Sequence, residues 1–382
     1  MRHAESIRGR AGFGAAAFTA CVLMACAAEA PRPTQRPPTA WPSVAATAAR
    51  PTSTPAPSSP TEFTLEKIDR AFPSVTALTS TGDHLYWASG ATIWRFTPGD
   101  PDPQRVYENP AEGALIWDVA AIDAGFVFSE LFESPAGAWR VAYVAGDGAT
   151  PVELDRGIAE RGAPPTLAID AGRIAWAGFD ESSGAPRSFL RVVERARPDA
   201  ATTLLDLDID DGLLWHPQLD RDTLWYGIIV SDFEGTASGD DISIATIDLA
   251  NPSAGPARFN GRGNDFNPAV AGVYVVWKSV EPGFAALTWG QLHALDRSSN
   301  ERLFIADQAN NPSIGSRFVA FEEISHHMLL LFDLATRTLV KIPDPMGAAN
   351  GTVGPITISG NLLGFNVSAK GSKTVYWAIL PD

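Results

Sequence analysis

The sequence is poor in cysteine, and this shortage excludes several kinds of protein. Cys21 and Cys26 are the only cysteines among 382 residues, and both lie close to the N-terminus. The body of the chain therefore has no disulfide framework, no thiol nucleophile and no cysteine-based zinc site. The sequence also lacks an HExxH zinc motif, a GxSxG nucleophile turn and a GxxxxGK[ST] phosphate loop. These absences favour a non-enzymatic protein over an enzyme.

Positive charge is scarce as well. The chain has 29 Lys and Arg residues against 44 Asp and Glu residues, a formal net charge of −15 at pH 7. No run of basic residues follows the N-terminal segment. An acidic surface repels phosphate groups, so the composition argues against nucleic acid and against acidic lipid headgroups as partners.

The N-terminal segment has the pattern of a secretory signal. Three arginines, Arg2, Arg8 and Arg10, precede fifteen largely apolar residues, a run too short for a confident transmembrane span. The stretch Leu23–Cys26, "LMAC", resembles the lipobox of bacterial lipoproteins, in which the cysteine becomes the lipidated first residue. It predicts a lipoprotein signal peptide over 1–25 and lipidation at Cys26. An ordinary cleavable signal that contains a cysteine is the alternative.

Residues 26–61 are rich in Pro, Ala, Ser and Thr and cannot bury a core. They predict an extended tether between the lipid anchor and a folded domain over 62–382. We therefore expect a monomer in the cell envelope, outside the cytoplasm, that touches a membrane only through its lipid.

A repeat of about 40 to 50 residues fills the folded domain, and such a period is typical of propeller blades. Each copy has a short apolar strand, a turn, and a second apolar strand that ends in an aromatic residue. The seven aromatic residues are Trp87, Phe128, Trp176, Tyr226, Trp277, Phe321 and Phe365, at intervals of 41, 48, 50, 51, 44 and 44 residues. A third strand follows in most copies and a fourth in six. The pattern predicts an all-β fold, a seven-bladed β-propeller of four-stranded antiparallel blades.

The last copy lacks its fourth strand, because the chain stops directly after the third. The segment 63–68, "FTLEKI", shares the kernel Thr-Leu-x-Lys-Ile with 338–342, the fourth strand of the sixth copy. We therefore expect this N-terminal segment to complete the last blade and close the ring, unless the shared kernel is a chance match. The repeats resemble the TolB-like, or WD40-like, β-propeller class over 62–382. The turns read "STGD", "IDAG", "LDRD" and "GSR" where that class often has Ser-Pro-Asp-Gly.

Polar residues recur where the inner strand of a blade starts, about nine positions before the aromatic residue. His216, Asn267 and Asn311 each precede a proline there, and Asp118 occupies the same place in the second copy. Trp117 and Trp215 stand directly before two of them. One interpretation is a ligand site at the channel mouth, since tryptophans stack on ligands while polar groups fix their orientation. The other is that these residues only cap turns, as polar residues before proline often do.

Two functions fit this sequence. The first is a membrane-tethered binding or interaction scaffold whose ligand is a protein, a peptide or a carbohydrate. The second is a calcium-dependent hydrolase or lyase, because Asp118, Asn267 and Asn311 resemble the mixed Asn, Asp and Glu side chains that hold calcium in propeller lactonases. Those enzymes typically have six blades, so a count of seven favours the scaffold. We expect no cofactor for the scaffold and calcium for the enzyme.

Overall fold

The architecture is known from a computed structural model. Its described residues are 63–381, apart from 124, 161–162, 230–241, 261–263, 281–289, 327, 343–351 and 370. The predicted signal segment, Cys26 and the tether up to residue 62 lie outside these residues. Nearly all regular structure is β-strand, and the described part of the chain has two short 3₁₀ helices, Ile209–Asp211 and Pro252–Ala254. Within that part no helix is long and apolar enough to span a membrane.

Four of the sheets are antiparallel and have four consecutive strands each. Strand β1 (Glu66–Phe72) precedes the first of them, which contains β2 (Ala77–Ser80), β3 (Leu85–Ser89), β4 (Thr92–Phe96) and β5 (Gln104–Glu108). The second contains β6 (Leu115–Ile122), β7 (Gly125–Phe132), β8 (Ala138–Val144) and β9 (Val152–Ile158). The third contains β10 (Thr166–Ile169), β11 (Arg173–Asp180), β12 (Arg187–Glu194) and β13 (Thr202–Asp208). The fourth contains β14 (Leu213–Asp220), β15 (Thr223–Ile229), β16 (Ile242–Asp248) and β17 (Ala257–Arg258).

A seven-stranded sheet follows, in which one long strand belongs to two strand groups. Its strands are β18 (Asn264–Ala271), β19 (Tyr274–Val280), β20 (Gly290–Asp296), β21 (Glu301–Ile314), β22 (Phe318–Glu323), β23 (Met328–Asp333) and β24 (Thr338–Lys341). The first half of β21 pairs with β20 and the second half with β22. The sequence predicts two separate strands here, but the strand runs on without a break.

The last sheet joins the two ends of the domain. Its order is β1 (Glu66–Phe72), β27 (Ser372–Ile379), β26 (Leu362–Ala369) and β25 (Thr352–Ser359). The predicted pairing of the N-terminal segment with the last repeat is present, although the strand starts at Glu66 and continues to Phe72. Ile68 and Ile342, the last residues of the shared kernel, are both buried. The kernel therefore recurs because the two segments do the same packing task at the outer edge of a sheet.

The core lies between neighbouring sheets. All seven repeated aromatic residues are buried, with at most 2% of their surface exposed. Each apolar cluster combines side chains of adjacent sheets, such as Tyr86 of the first sheet with Phe128 of the second. The first strands of successive repeats, β2, β6, β10, β14, β18, β21 and β25, each contact the next, and β25 contacts β2. This arrangement brings the starts of all first strands towards one region, where the predicted site residues lie.

Candidate functional site

The site is formed where the first strands of the fourth, fifth and sixth repeats are interrupted by bulges. Regular pairing breaks at His216-Pro217, at Asn267-Pro268 and at Asn311-Pro312. Proline has no N–H to give to the neighbouring strand, so a bulge is the expected result of proline inside a strand. On β6 the pairing shifts at Trp117, next to Asp118.

The residues before these prolines have an unusual backbone conformation. His216, Asn267 and Asn311 have φ angles of 51°, 53° and 48°. Residues before proline normally adopt extended geometry, and a left-handed histidine is rarer than a left-handed asparagine. Conformations of this kind cost about 1–3 kcal/mol each and are found most often at functional sites. The sequence predicts polar residues here but gives no sign of this backbone geometry.

The six predicted site residues, Trp117, Asp118, Trp215, His216, Asn267 and Asn311, all keep part of their surface accessible. The structure links them through neighbouring strands rather than through direct contacts among all six. The N–H of His216 donates to the Thr166 hydroxyl of β10 at 2.9 Å. Trp215 stacks on Phe266, the residue before Asn267, with ring centroids 6.4 Å apart. Repeats four and five therefore share one aromatic layer beside their bulges.

The Asp118 carboxylate accepts backbone hydrogen bonds from two adjacent sheets. Its Oδ1 accepts the N–H of Val119 and its Oδ2 accepts the N–H of Leu167 on β10, each at 2.9 Å. Burial raises the pKa of this carboxyl group to about 6, although both N–H donors favour the charged form. These contacts make Asp118 a link between the second and third repeats. Its ligand role, like that of the other five residues, stays a prediction.

Lys278 lies at the centre of the site and was missed by sequence analysis. It is fully buried on β19, directly opposite Phe266, whose ring centroid is 4.2 Å from its Nζ. The Nζ donates to the Asn310 Oδ1 at 2.8 Å, which connects the fifth repeat to the sixth. Burial lowers the pKa of Lys278 to about 7, and the Glu322 carboxylate opposes this effect. Burial, assisted by Lys278, also lowers the pKa of His216 to about 4, so the imidazole is neutral at pH 7.

Lys278 belongs to a set of equivalent positions that directly follow the repeated aromatic residues. The seven residues are Ala88, Ser129, Ala177, Gly227, Lys278, Glu322 and Asn366. The six with a side chain are all buried, and in the second, fifth, sixth and seventh repeats that side chain is polar. A polar residue directly after a buried aromatic residue is thus the signal that could have identified Lys278.

Some polar atoms of this layer have no hydrogen-bond partner among the described residues. They include the Trp215 indole N–H, the Tyr226 hydroxyl, the Ser129 hydroxyl and both terminal atoms of Asn366. The Trp215 indole lies against Gly227, where an added Cβ would collide with it. The Asn366 amide lies in the same way against Gly354, which precedes Pro355 in the bulge of β25. The layer thus combines close packing with unsatisfied polar groups.

The sequence has several acidic residues after the second strands, Glu130 among them, and their pattern predicts either solvated loop charges or a rim that attracts cations or basic partners. Glu130 is fully buried, where a solvated loop charge was expected. Strand β7 continues past it to Phe132, and its carboxylate accepts hydrogen bonds from Tyr107, Asn109 and Arg140. The longest of the predicted acidic segments, 231–241, lies outside the described residues.

A calcium site was predicted from Asp118, Asn267 and Asn311. Among the residues that the structure describes, no group of three or more His, Cys, Asp or Glu side chains is placed to hold a metal ion. Two of the three predicted calcium ligands are asparagines, which are not among these residue types, so the calcium set stays a prediction.

Known protein structures include folds similar to this one. The β-propeller domain of the Trilobed protease from Pyrococcus furiosus matches with a TM-score of 0.54 and 10% identity, over 80% of this chain and 95% of that one. A structure of YCF48 bound to D1 peptide gives 0.55 and 11%, over 86% and 100%. A chain in the crystal structure of the Mitotic Checkpoint Complex gives 0.53 and 13%, over 88% and 100%. No protein-family model and no curated protein sequence matches the chain.

At these identities the similarity shows the fold alone. The repeated four-stranded antiparallel sheets and the structural matches together define an all-β protein of the β-propeller fold.

Proposed function

We propose that the protein is a lipid-anchored β-propeller that binds a protein or peptide partner outside the cytoplasm. The observation that carries the proposal is the cluster of Trp215, His216 and Phe266 at the starts of neighbouring first strands, with Lys278 directly opposite Phe266 on β19. Aromatic surface beside a few fixed polar groups is what a ligand site needs.

The blade number in this proposal is seven. Four sheets are complete four-stranded blades, and the seven-stranded sheet divides into two blades that share β21. The seventh blade is β25–β27 with β1 as its outer strand. Contacts between successive first strands, including β25 with β2, support a closed ring. Closure of this kind protects the edge of β27, since an unpaired edge strand promotes aggregation.

The anchor is the second part of the proposal. A basic N-terminal region, a short apolar run and the Leu23–Cys26 motif support a lipidated Cys26. The Pro-rich segment up to residue 61 then acts as a spacer between membrane and propeller. In Cys26→Ala the protein should be retained unprocessed or released from the membrane fraction. Wild-type processing and fractionation of this variant would contradict the anchor.

A protein or peptide is the ligand class to test first, because one structurally similar propeller was solved with a bound peptide. Mature protein, immobilised through its N-terminus, is used to select binders from a random peptide display library. Selected peptides should protect β14, β18 and β21 from hydrogen exchange. Protection confined to outer strands would refute the proposed site. If no peptide is selected and the protein instead binds to a glycan array, the proposed ligand class is wrong.

A further inference from the structure

The three bulges on β14, β18 and β21 repeat one rare conformation in neighbouring repeats. Of the other left-handed residues that are not glycine, Asp123, Arg221, Asn300 and Arg337 lie at exposed turns, where this conformation is common. Gln308, the remaining one, is exposed and lies within β21 where its pairing with β20 is irregular, and it does not precede a proline. His216, Asn267 and Asn311 instead lie inside strands and before proline. Their left-handed geometry is not required by a turn. Its occurrence in three consecutive repeats therefore needs another explanation.

The bulges also occupy equivalent positions. Each lies opposite the repeated aromatic residue of the second strand, between paired residues on either side. Strand β14 contacts β18, and β18 contacts β21. The same backbone geometry at the same place in adjacent sheets presents the three side chains side by side.

The groups presented at the bulges are uncharged. Burial keeps the His216 imidazole neutral at pH 7, since its pKa falls to about 4. Asn267 and Asn311 carry amides, each with hydrogen-bond donors and an acceptor. Three charged groups lie nearby. The Lys278 Nζ donates to Asn310, and the Asp118 carboxylate accepts two backbone N–H groups. Glu322, which lies opposite Asn310, is buried and interacts with Lys278. A ligand at the bulges thus meets neutral donors and acceptors beside the Trp215 ring.

We propose that His216, Asn267 and Asn311 bind main-chain amides of an uncharged, extended segment of a partner protein. A peptide unit has one donor and one acceptor, which an asparagine amide matches with one of each. Recognition of this kind selects for an extended backbone and does not depend on charged side chains or chain termini. This inference rests on the proposed function, because it assigns a ligand class to the same site.

The test uses N-acetylated, C-amidated decapeptides without Asp, Glu, Lys or Arg, arrayed and probed with the mature protein. The tightest binder is then resynthesised with single backbone N-methyl groups. Methylation at alternate residues should weaken binding at least about tenfold, because it removes a main-chain donor. Affinity should change less than about twofold between about 0.05 and 0.5 M salt, because no ion pair is formed.

Variants with glycine test the side chains without disturbing the backbone. Glycine adopts positive φ readily, so Asn267→Gly with Asn311→Gly keeps both bulges and should weaken the peptide about tenfold or more. Asn300→Gly makes the same exchange at an exposed turn with φ of 58° and should leave affinity unchanged. Melting temperatures of the variants confirm that the fold is retained.

The outcomes separate this inference from the proposed function. A binder that tolerates every N-methyl group, depends on salt or survives both glycine changes overturns the main-chain inference and leaves a peptide-binding scaffold. An array without any binder, together with no enrichment in the display selection, overturns both. Binding that is lost in the double variant but kept in Asn300→Gly supports the inference.

Discussion

Replacing Lys278 with methionine should remove a pH dependence of stability. Burial lowers the pKa of Lys278 from 10.5 to about 7 in the folded protein. Between these pH values the unfolded chain holds one more proton than the folded chain, so the free energy of unfolding rises with pH. The lysine's contribution is complete above pH 10.5 and is lost as the pH falls through about 7. The slope is about 1.4 kcal/mol per pH unit well above pH 7 and half of that at pH 7, so about 2 kcal/mol separates pH 7 from pH 9.

Methionine has a similar length and no proton to bind, so the variant lacks this slope. It also loses the hydrogen bond from Nζ to Asn310, a loss of about 1.5–3 kcal/mol for a charged donor. Near pH 6 wild type buries a charged Lys278 ammonium group, and methionine removes that cost. The gain should exceed the loss of the hydrogen bond, so Lys278→Met should be the more stable protein. As the pH rises to 9 this advantage should shrink or reverse.

The measurement is urea unfolding followed by tryptophan fluorescence at about pH 6, 7.5 and 9, with midpoints and slopes compared between variant and wild type. Comparison with wild type cancels the other titrating groups. Lys341→Met, which removes an exposed lysine from β24, is the matched control and should show a constant difference. If the difference for Lys278→Met is equally constant, the lysine does not titrate in this range and the argument from burial is wrong.

Three further changes test the packing around the ring. Deleting 63–72 should lower the melting temperature and cause aggregation, because it exposes the edge of β27. It also removes the buried side chains of Ile68 and Phe72, each of which stabilises the fold by about 1.5–3 kcal/mol. A monomeric variant with an unchanged melting temperature would contradict ring closure. Gly227→Ala should cost about 1–3 kcal/mol in calorimetry by displacing the Trp215 indole, and a neutral effect would refute that contact. The stability of Asp118→Asn relative to wild type should increase as the pH rises from 3.8 to about 6. In this range folded wild type binds more protons at Asp118 than the unfolded chain does, so its free energy of unfolding falls with pH. A difference in urea unfolding that is independent of pH would contradict the raised pKa.

The repeat and its core could be predicted because they depend on local pattern. Each aromatic residue ends a short apolar strand, so its period is visible without knowledge of the neighbouring sheet. The pairing of β1 with β27 followed from a sequence match, because Ile68 and Ile342 fill equivalent buried positions at sheet edges. Strand bounds were less certain, since nothing in 302–314 indicates that β21 continues from one strand group into the next.

The environment of Lys278 could not be predicted, because it depends on contacts between repeats. Its burial follows from Phe266 on the neighbouring strand and Asn310 in the next repeat, which are 12 and 32 residues away. Glu130 was misassigned for a related reason. A strand that continues past the repeated aromatic residue buries the next residues against the preceding sheet. Tyr107 on β5 and Asn109 directly after that strand then donate hydrogen bonds to the Glu130 carboxylate.

Several departures from favourable local structure lie together in one layer of the molecule. The three left-handed residues before proline, the unpaired Trp215 indole N–H and the unpaired Asn366 amide all lie at the bulges of first strands or directly opposite them. Other irregular pairings, such as those between β4 and β5 and between β8 and β9, lie at outer strands and involve no residue with positive φ. A sequence selected for stability alone would have an apolar residue in place of Asn366 and would keep the residues before the prolines in an extended conformation. Unsatisfied polar groups and strained φ angles both lower stability. Because such conflicts persist mainly where function requires them, this layer, rather than the outer strands or hairpin turns, is where the proposed binding activity should be tested.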